Sequence, residues 1–182
     1  MEKKNIFQKI EEVTKGEQNI VWFHCASLGE FEQGKPIIEG YKQKYPSHKI
    51  LLTFFSPSGF EIRKNYEGVD WVFYLPADTK SNAKKFISIV KPIKVIFIKY
   101  EFWFNYMAEL KKQNISFYSV SAIFSDGQAF FKYKWFIKQL QNVTHFFVQD
   151  KTSADLLQSI GLTNYTISGD SRFDSVLTNT RN

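Results

Sequence analysis

Seven short apolar runs, separated by stretches with helical spacing, constrain the fold of this chain more than any other feature. Two of the runs, ILLTFF and KVIFIK, are apolar on both faces, which is typical of strands that helices cover on both sides. The alternation indicates a repeated β-α unit, and it predicts an α/β fold with a mostly parallel sheet. The predicted strands are Ile20–His24, Lys49–Phe55, Trp71–Tyr74, Val95–Ile98, Ser116–Val120, Phe146–Gln149 and Tyr165–Ser168.

Helices are predicted between the runs. The spacing of apolar residues indicates a helix over 31–45 and another that ends before Lys91-Pro92, with Asp78 as its N-cap. A third helix follows Asp150 and stops at Gly161, where a left-handed C-cap is natural.

The length of 182 residues, 43% of them hydrophobic, suits one well-packed domain and is too short for two large ones. We expect a polar segment over 1–18, one domain over 19–174, and a tail or the start of a connection over 175–182. Cys25 is the only cysteine, so no internal disulfide is possible, and we expect a cytoplasmic protein. The apolar neighbours of Cys25 predict that its side chain is buried. The first 19 residues predict neither a signal peptide nor a spanning helix.

The charge balance leaves several partners open. With 24 lysines and arginines against 18 acids, the formal charge of +6 favours phosphates, nucleic acid or an anionic membrane, although ordinary soluble domains also carry such surfaces. The chain lacks the G-x-G-x-x-G and G-x-x-x-x-G-K-S/T motifs, and its three histidines lack metal-ligand spacing. We therefore expect no dinucleotide, P-loop or zinc chemistry, no metal and no cofactor.

Small polar residues follow the first two predicted strands, at the edge where ligands bind in open α/β sheets. Ser27, Gly29 and Glu30 follow the first strand, and Glu30 either takes a proton from an acceptor hydroxyl or is a solvated glutamate favoured by the helix dipole. Ser56 and Ser58 follow the second strand. Ser56-Pro57 predicts an N-cap and first helical residue, and the same loop offers hydroxyls and N–H groups to a sugar or phosphate.

Two further candidates follow later strands. Glu101 and Asn105 lie among large rings, where an acid needs either a buried partner or a functional role. Trp103 between them is expected to belong to the core. Arg172, after the last strand, either complements a carboxylate or phosphate through its planar fork or forms a surface ion pair.

The segment 130–138, FFKYKWFIK, interleaves five aromatic residues with three lysines. It suits a helix at a lipid interface, but it also suits single-stranded nucleic acid or a core helix with a lysine-bearing outer face. The residues predicted to contact a membrane are Phe131, Lys132, Lys134, Trp135 and Lys138.

Four segments, taken in order, resemble the N-terminal domain of 3-deoxy-D-manno-octulosonic acid (Kdo) transferases. They are W-F-H-C-A-S-L-G-E, T-F-F-S-P-S-G, K-Y-E-F-W-F-N and G-D-S-R-F-D. The resemblance covers nearly the whole chain and is most specific over 27–30 and 101–105. It implies a Rossmann-like three-layer sandwich that forms one half of a GT-B glycosyltransferase.

The resemblance also implies roles for individual residues. Glu30 would be the general base that deprotonates a glucosamine hydroxyl of a lipid A precursor, while Glu101 and Arg172 would stabilise the transition state. Ser27, Gly29, Ser56, Ser58 and Asn105 would bind the acceptor. The co-substrate CMP-Kdo would be held mainly by a C-terminal donor domain that this sequence does not include, so the domain is expected to be inactive alone.

The implied location is the cytoplasmic face of the inner membrane, peripheral or anchored by a segment not evident here, with no nucleic acid as partner. The sequence departs from the commoner family pattern at Lys99, Phe104 and Arg172, where an acid, a proline and a lysine are usual. Two alternatives stay open at this point. One is half of another nucleotide-sugar glycosyltransferase with a different acceptor, and the other is a non-enzymatic basic module that binds membrane or nucleic acid.

Overall fold

The computed structural model describes residues 6–99, 102–128 and 131–169 of the chain. Within them seven strands alternate with seven α-helices, which confirms the predicted organisation. The strands are β1 (Ile20–Cys25), β2 (Lys49–Phe54), β3 (Trp71–Tyr74), β4 (Lys94–Ile98), β5 (Ser116–Ala122), β6 (His145–Val148) and β7 (Tyr165–Ile167). The helices are α1 (Ile6–Thr14), α2 (Leu28–Lys44), α3 (Pro57–Arg63), α4 (Lys80–Val90), α5 (Phe104–Lys112), α6 (Lys134–Leu140) and α7 (Lys151–Ser159).

The strands form one parallel sheet in the order β3-β2-β1-β4-β5-β6-β7. The chain winds outward from β1 to β3 and then returns to place β4 on the other side of β1. In sheets of this kind, ligands bind outside the carboxyl ends of the strands where the winding reverses. The carboxyl ends of β1 and β4 therefore mark the expected site.

Two hydrophobic cores lie on opposite faces of the sheet and make the molecule a three-layer sandwich. Trp22, Phe86 and Phe97 lie in the core beneath α1 and α4 to α7, whereas Phe23 and Phe31 lie in the core beneath α2 and α3. Strand β1 contributes to both cores, and all six of its residues are buried. Burial on both faces explains the uninterrupted apolar run in the sequence.

Local cap chemistry sets most helix boundaries. Ser56 caps α3, Pro57 is the first residue of α3, and Gly161 follows α7 with φ +82°, all as predicted. The helix predicted after Asp150 is α7, and the Asp150 side chain caps it. Helix α2 begins at Leu28 rather than at residue 31, because the Ser27 side chain accepts the Glu30 N–H and so caps an earlier turn.

The prediction that Asp78 caps α4 is wrong. Thr79 caps α4, since its hydroxyl accepts the Asn82 N–H at 3.2 Å. Asp78 instead turns toward the start of α5, which follows a different strand.

Helix α1 lies within the segment that the sequence reading left as polar. Ile6 and Ile10 are buried in the same core as Phe86, and the Lys85 ammonium lies 4.7 Å from the centre of the Phe7 ring. The apolar side chains are spaced four apart, which suits a short amphipathic helix. The helix stabilises the outer side of α4 and places its first residues near the carboxyl edge of the sheet.

A buried polar cluster lies inside the core near the end of β1. The Trp22 indole donates to the Thr53 hydroxyl at 2.7 Å, and the His24 Nδ1 lies 2.9 Å from the same oxygen. His24 is fully buried against the Phe97 ring, at 4.7 Å between centroids, and its Nε2 has no hydrogen-bond partner within the described residues. Loss of hydration on burial lowers the pKa of His24 to about 3, so the imidazole is neutral near pH 7.

We expect the domain to lose stability as the pH falls below about 6.5, the ordinary pKa of histidine. Below that pH the His24 imidazole binds a proton in the unfolded chain, whereas in the folded protein it stays neutral down to about pH 3. The free energy of unfolding should therefore fall by up to about 1.4 kcal/mol per pH unit between those limits. Urea unfolding of wild type and His24→Asn at several pH values measures this. His48 and His145, whose pKa values burial also lowers, remain in both proteins, so equal slopes would contradict the role of His24.

Candidate functional site

The loops that follow β1 and β2 meet at the carboxyl edge of the sheet. The Ser56 N–H donates to the Ala26 carbonyl at 2.8 Å, so the two loops are bonded directly through their backbones. Parallel pairing of the last residues, Cys25 with Phe54, brings them to the same level. The structure thus brings together the two groups of polar residues that the sequence placed after separate strands.

Glu30 lies in the first turn of α2, half-buried, with its carboxylate turned back toward the end of β1. One carboxylate oxygen, Oε2, accepts the Ala26 N–H at 2.5 Å, while the Glu30 N–H donates to the Ser27 hydroxyl at 3.4 Å. This reciprocal pair is a capping box of the S-x-x-E type, shifted by one residue. The sequence reading missed it, although the spacing of Ser27 and Glu30 is its usual signature.

The capping box fixes the direction of the Glu30 carboxylate at the ligand edge. Its negative charge also acts on Cys25, which is fully buried. Burial first, and the charge of Glu30 second, hold the pKa of the Cys25 thiol well above its ordinary value. Cys25 therefore stays protonated, and it is a packing residue rather than a nucleophile.

Two serine hydroxyls, those of Ser56 and Ser58, lie where β2 leads into α3. Ser56 accepts the Ser58 N–H at 3.3 Å as the N-cap of α3, and the two hydroxyl oxygens are 2.8 Å apart. Ser58 is exposed, and Gly29 is exposed on the neighbouring helix. The edge therefore offers hydroxyl groups next to a fixed carboxylate, which is suitable chemistry for holding a sugar.

A glycine allows the two helices to start this close together. A Cβ atom at Gly59 would overlap the Phe54 ring and lie 3.1 Å from the Leu28 nitrogen. At Gly29, the second residue of α2, a Cβ atom would meet nothing within 4 Å. Gly59 is therefore required by packing, whereas Gly29 is not.

Asn105 is held by the loop after β3. The Asp78 carboxylate accepts the Asn105 N–H at 3.1 Å and the Tyr106 N–H at 3.2 Å, and so caps α5 from a distance. The Asn105 side chain donates from Nδ2 to the Asp78 carbonyl at 2.9 Å. That amide nitrogen is engaged within the protein, and Asp78 is the positioning residue that sequence reasoning assigned to another helix.

Trp103 is 8% exposed, which confirms its prediction as a core residue. Its ring contacts His24 at 5.4 Å and Phe55 at 4.8 Å between centroids, so it links the end of β1 to the loop after β2. Glu101 and Arg172 lie outside the described residues, and their roles stay predictions.

Helix α6 begins at Lys134, within the aromatic and lysine segment. Phe131 is half-buried against Phe124, with ring centroids 5.4 Å apart, whereas Trp135 is 56% exposed and contacts Phe104 at 5.0 Å. The segment is thus part core and part surface. Among its described residues the exposed side chains are Lys132, Tyr133, Lys134, Trp135 and Lys138, and together they form the α6 surface.

Among the described residues, no helix is long and apolar enough to cross a bilayer. The same residues contain no group of three or more His, Cys, Asp and Glu side chains arranged to hold a metal ion.

The sequence profile of the family described as "3-Deoxy-D-manno-octulosonic-acid transferase (kdotransferase)" matches residues 3–175. The chain is 36% identical over 101 residues to the 3-deoxy-D-manno-octulosonic acid transferase of Aquifex aeolicus, covering 55% of this chain and 27% of that protein. It is 31% identical over 110 residues to the enzyme of the same name from Haemophilus influenzae, covering 60% of this chain and 26% of that protein. The chain therefore spans about a quarter of the length of these curated relatives.

The fold of this chain is similar to that of several solved structures. A UDP-GlcNAc 2-epimerase from Neisseria meningitidis, bound to UDP-GlcNAc, superposes with a TM-score of 0.61 at 12% identity, covering 88% of this chain and 49% of that chain. At this identity the likeness shows the fold alone. It confirms the predicted Rossmann-like, GT-B-type architecture.

The contrast between the two glycines gives a direct test of the site's packing. Gly59→Ala should lower the free energy of unfolding by about 1–3 kcal/mol, because the Phe54 ring must move. Gly29→Ala, the matched control in α2, should leave stability unchanged or raise it by up to about 1 kcal/mol. Chemical denaturation of both variants measures this, and equal losses would mean that the helix starts are not closely packed.

Proposed function

We propose that this chain, which belongs to the Kdo transferase family of glycosyltransferases, binds the acceptor in an enzyme that moves Kdo from CMP-Kdo to a lipid A precursor. The observation that carries the proposal is the position of Glu30, whose carboxylate is fixed at the ligand edge by Ala26, the residue that is also bonded to Ser56. The family match over residues 3–175 supports the reaction class. In this proposal a second, donor-binding domain holds most of CMP-Kdo.

In the proposed reaction Glu30 accepts the proton of an acceptor hydroxyl as the hydroxyl oxygen attacks the anomeric carbon of Kdo. The bond from that carbon to the phosphate oxygen of CMP breaks, and CMP leaves with the electron pair. Ser27, Ser56 and Ser58 orient the acceptor sugar by hydrogen bonds. Gly29, without a side chain, leaves room for the sugar to approach α2.

Three other residues have supporting roles. Asn105 acts indirectly, since its amide holds the loop of Asp78 against the start of α5. For Glu101 and Arg172 the family resemblance supports stabilisation of the transition state, with a carboxylate facing positive charge on the sugar and a guanidinium facing negative charge on CMP.

We further propose that the enzyme works at the cytoplasmic face of the inner membrane, with the α6 surface against the bilayer. This surface exposes Trp135 and Tyr133 among three lysines, and helix α6 contains no acidic residue. Aromatic rings favour the interface of a bilayer, and lysines near an anionic surface each contribute about 1 kcal/mol. The net charge of +6 also favours binding to an anionic membrane surface.

The substitution Glu30→Gln tests the general-base role of Glu30 separately from its role in capping α2. Glutamine also completes a capping box, so the thermal unfolding of Glu30→Gln should match wild type. Loss of the base should lower kcat for Kdo transfer by about 100-fold or more, measured with the donor-binding domain present and a lipid A precursor as acceptor. Binding of the lipid should be retained.

The control is Ser27→Ala, which removes the helix cap and keeps the carboxylate. It should cost about 0.5–2 kcal/mol of stability, with a smaller effect on kcat than Glu30→Gln. Normal transfer by Glu30→Gln would exclude the general-base role. Tighter binding of a single-stranded oligonucleotide than of the lipid, at matched salt, would instead favour the nucleic-acid alternative.

The α6 surface can be tested on vesicles that contain anionic lipid. Lys134→Gln should weaken vesicle binding about fivefold at physiological salt, which corresponds to about 1 kcal/mol. Lys111 is another exposed lysine, in the last turn of α5 at the opposite edge of the sheet, and Lys111→Gln should change binding less than twofold. Equal effects of the two substitutions would show that only net charge matters.

A further inference from the structure

An apolar pocket opens at the carboxyl edge of the sheet, next to the site built from Ser56 and Glu30. It has a volume of about 250 Å³ and lies between the ends of β2 and β3 and the first residues of α1. Phe55, which forms part of its wall, is the residue directly before Ser56. The pocket wall and the candidate site therefore share the loop that follows β2.

The pocket wall is mostly carbon. Phe7, Phe55, Leu75 and Pro76 line it, and the amide of Asn82 is turned to the Ala77 carbonyl, where Nδ2 donates at 2.9 Å. A wall of this kind selects an apolar ligand. The volume lies below the roughly 300–1,000 Å³ of sites that enclose a drug-sized molecule, so it suits part of a slender chain rather than a nucleotide. The apolar wall does not suit the hydroxyl groups of a sugar.

A second hollow, of about 550 Å³, is larger but carries a different chemistry. It is lined by Glu11, Lys15, Glu17 and neighbouring residues at the opposite, amino edge of the sheet. The apolar pocket is therefore the one that the geometry connects with the site.

A series of aromatic rings leads from the pocket to the α6 surface. The Phe55 ring, which is 50% exposed, contacts the Trp103 ring at 4.8 Å between centroids. Phe104 directly follows Trp103 in the chain, and its ring contacts the Trp135 ring at 5.0 Å between centroids. Phe55 and Trp135 are exposed, whereas Trp103 between them is only 8% exposed, so the outer rings of the series supply the apolar surface. Burial of the methylenes of an apolar chain against those outer rings favours its binding.

Cations flank the pocket at the beginning of α4. This helix carries Lys80, Lys84 and Lys85, all exposed, and no acidic residue, and Lys85 lies over Phe7 in the pocket wall. The ligand that matches both features has an apolar chain and an anionic head group.

We propose that the pocket binds part of one acyl chain of the lipid acceptor, close to its head group, and so sets the distance of its sugar from Glu30. This inference rests on the proposed function, because it takes the acceptor to be an acylated, phosphorylated glycolipid. The series of rings extends toward the α6 surface, and the lysines of α4 that flank the pocket face the phosphate of the same molecule.

Binding of alkyl phosphates tests the pocket directly. With the full chain, affinity should rise about fourfold per added methylene from octyl to decyl phosphate and then level off as the pocket fills. Ala77→Phe places a ring in the pocket mouth and should remove this dependence on chain length, whereas Ala77→Ser should preserve it. Thermal unfolding of both variants confirms that they are folded. The same dependence in wild type and Ala77→Phe would overturn the proposal.

Transfer assays with the donor-binding domain present separate this inference from the function on which it rests. Ala77→Phe should raise KM for an acylated acceptor at least tenfold, with kcat nearly unchanged, and should leave KM for a deacylated acceptor as in wild type. If Ala77→Phe has no effect on KM while Glu30→Gln abolishes transfer, the pocket assignment fails and the proposed function stands. If Glu30→Gln transfers Kdo normally, the proposed function fails first, and the alkyl phosphate series still decides whether the pocket takes an apolar chain.

Discussion

The backbone of Ala26 holds the candidate site together. Its N–H donates to the Glu30 carboxylate and its carbonyl accepts the Ser56 N–H, so one residue joins the loops that follow the first two strands. Helix α3 can approach because Gly59 has no side chain where the Phe54 ring lies. The carboxylate, the serine hydroxyls and the start of α2 owe their relative positions to these contacts.

In the proposed reaction, Glu30 has a structural role and a chemical role at once. The capping box needs an acceptor that reaches back from the first turn of α2, and a general base needs an acceptor at the ligand edge. Because the helix starts at that edge, one carboxylate meets both requirements. A carboxylate also has two oxygens, so a bond accepted by Oε2 does not by itself preclude contact with a substrate.

The two edges of the sheet differ in chemistry, and this gives the domain a direction. At the amino edge, Asp70 pairs with Lys42 at 2.6 Å and Lys49 at 3.1 Å, and a hollow lined by charged residues lies nearby. At the carboxyl edge, Phe55 and Trp135 expose their rings. Parallel strands bring every β-to-α loop to that second edge, so a site, an apolar pocket and a surface for a membrane can adjoin one another there.

The sequence by itself determined the strands, the α/β class and several helix ends, because each depends on residues close together in the chain. Continuous apolar runs indicated strands that are buried on both faces. Ser56-Pro57 predicted the start of α3, and Gly161 predicted the end of α7. Local patterns also predicted Glu30, Ser27, Ser56 and Ser58 as site residues, and the structure brings their two loops together. The S-x-x-E signature of the capping box was present in the sequence too, and was overlooked.

Only the tertiary structure decided which loops meet. Asp78 caps α5 across 27 residues instead of capping its own helix, and that choice engages the Asn105 amide. The pocket beside Phe55 needs α1, β2 and β3 to converge, and no single segment encodes it. The physical reason is that a hydrogen bond or cavity between distant segments exists only once strand order has made them neighbours, whereas a run of apolar residues or a cap is complete within a few positions of the chain.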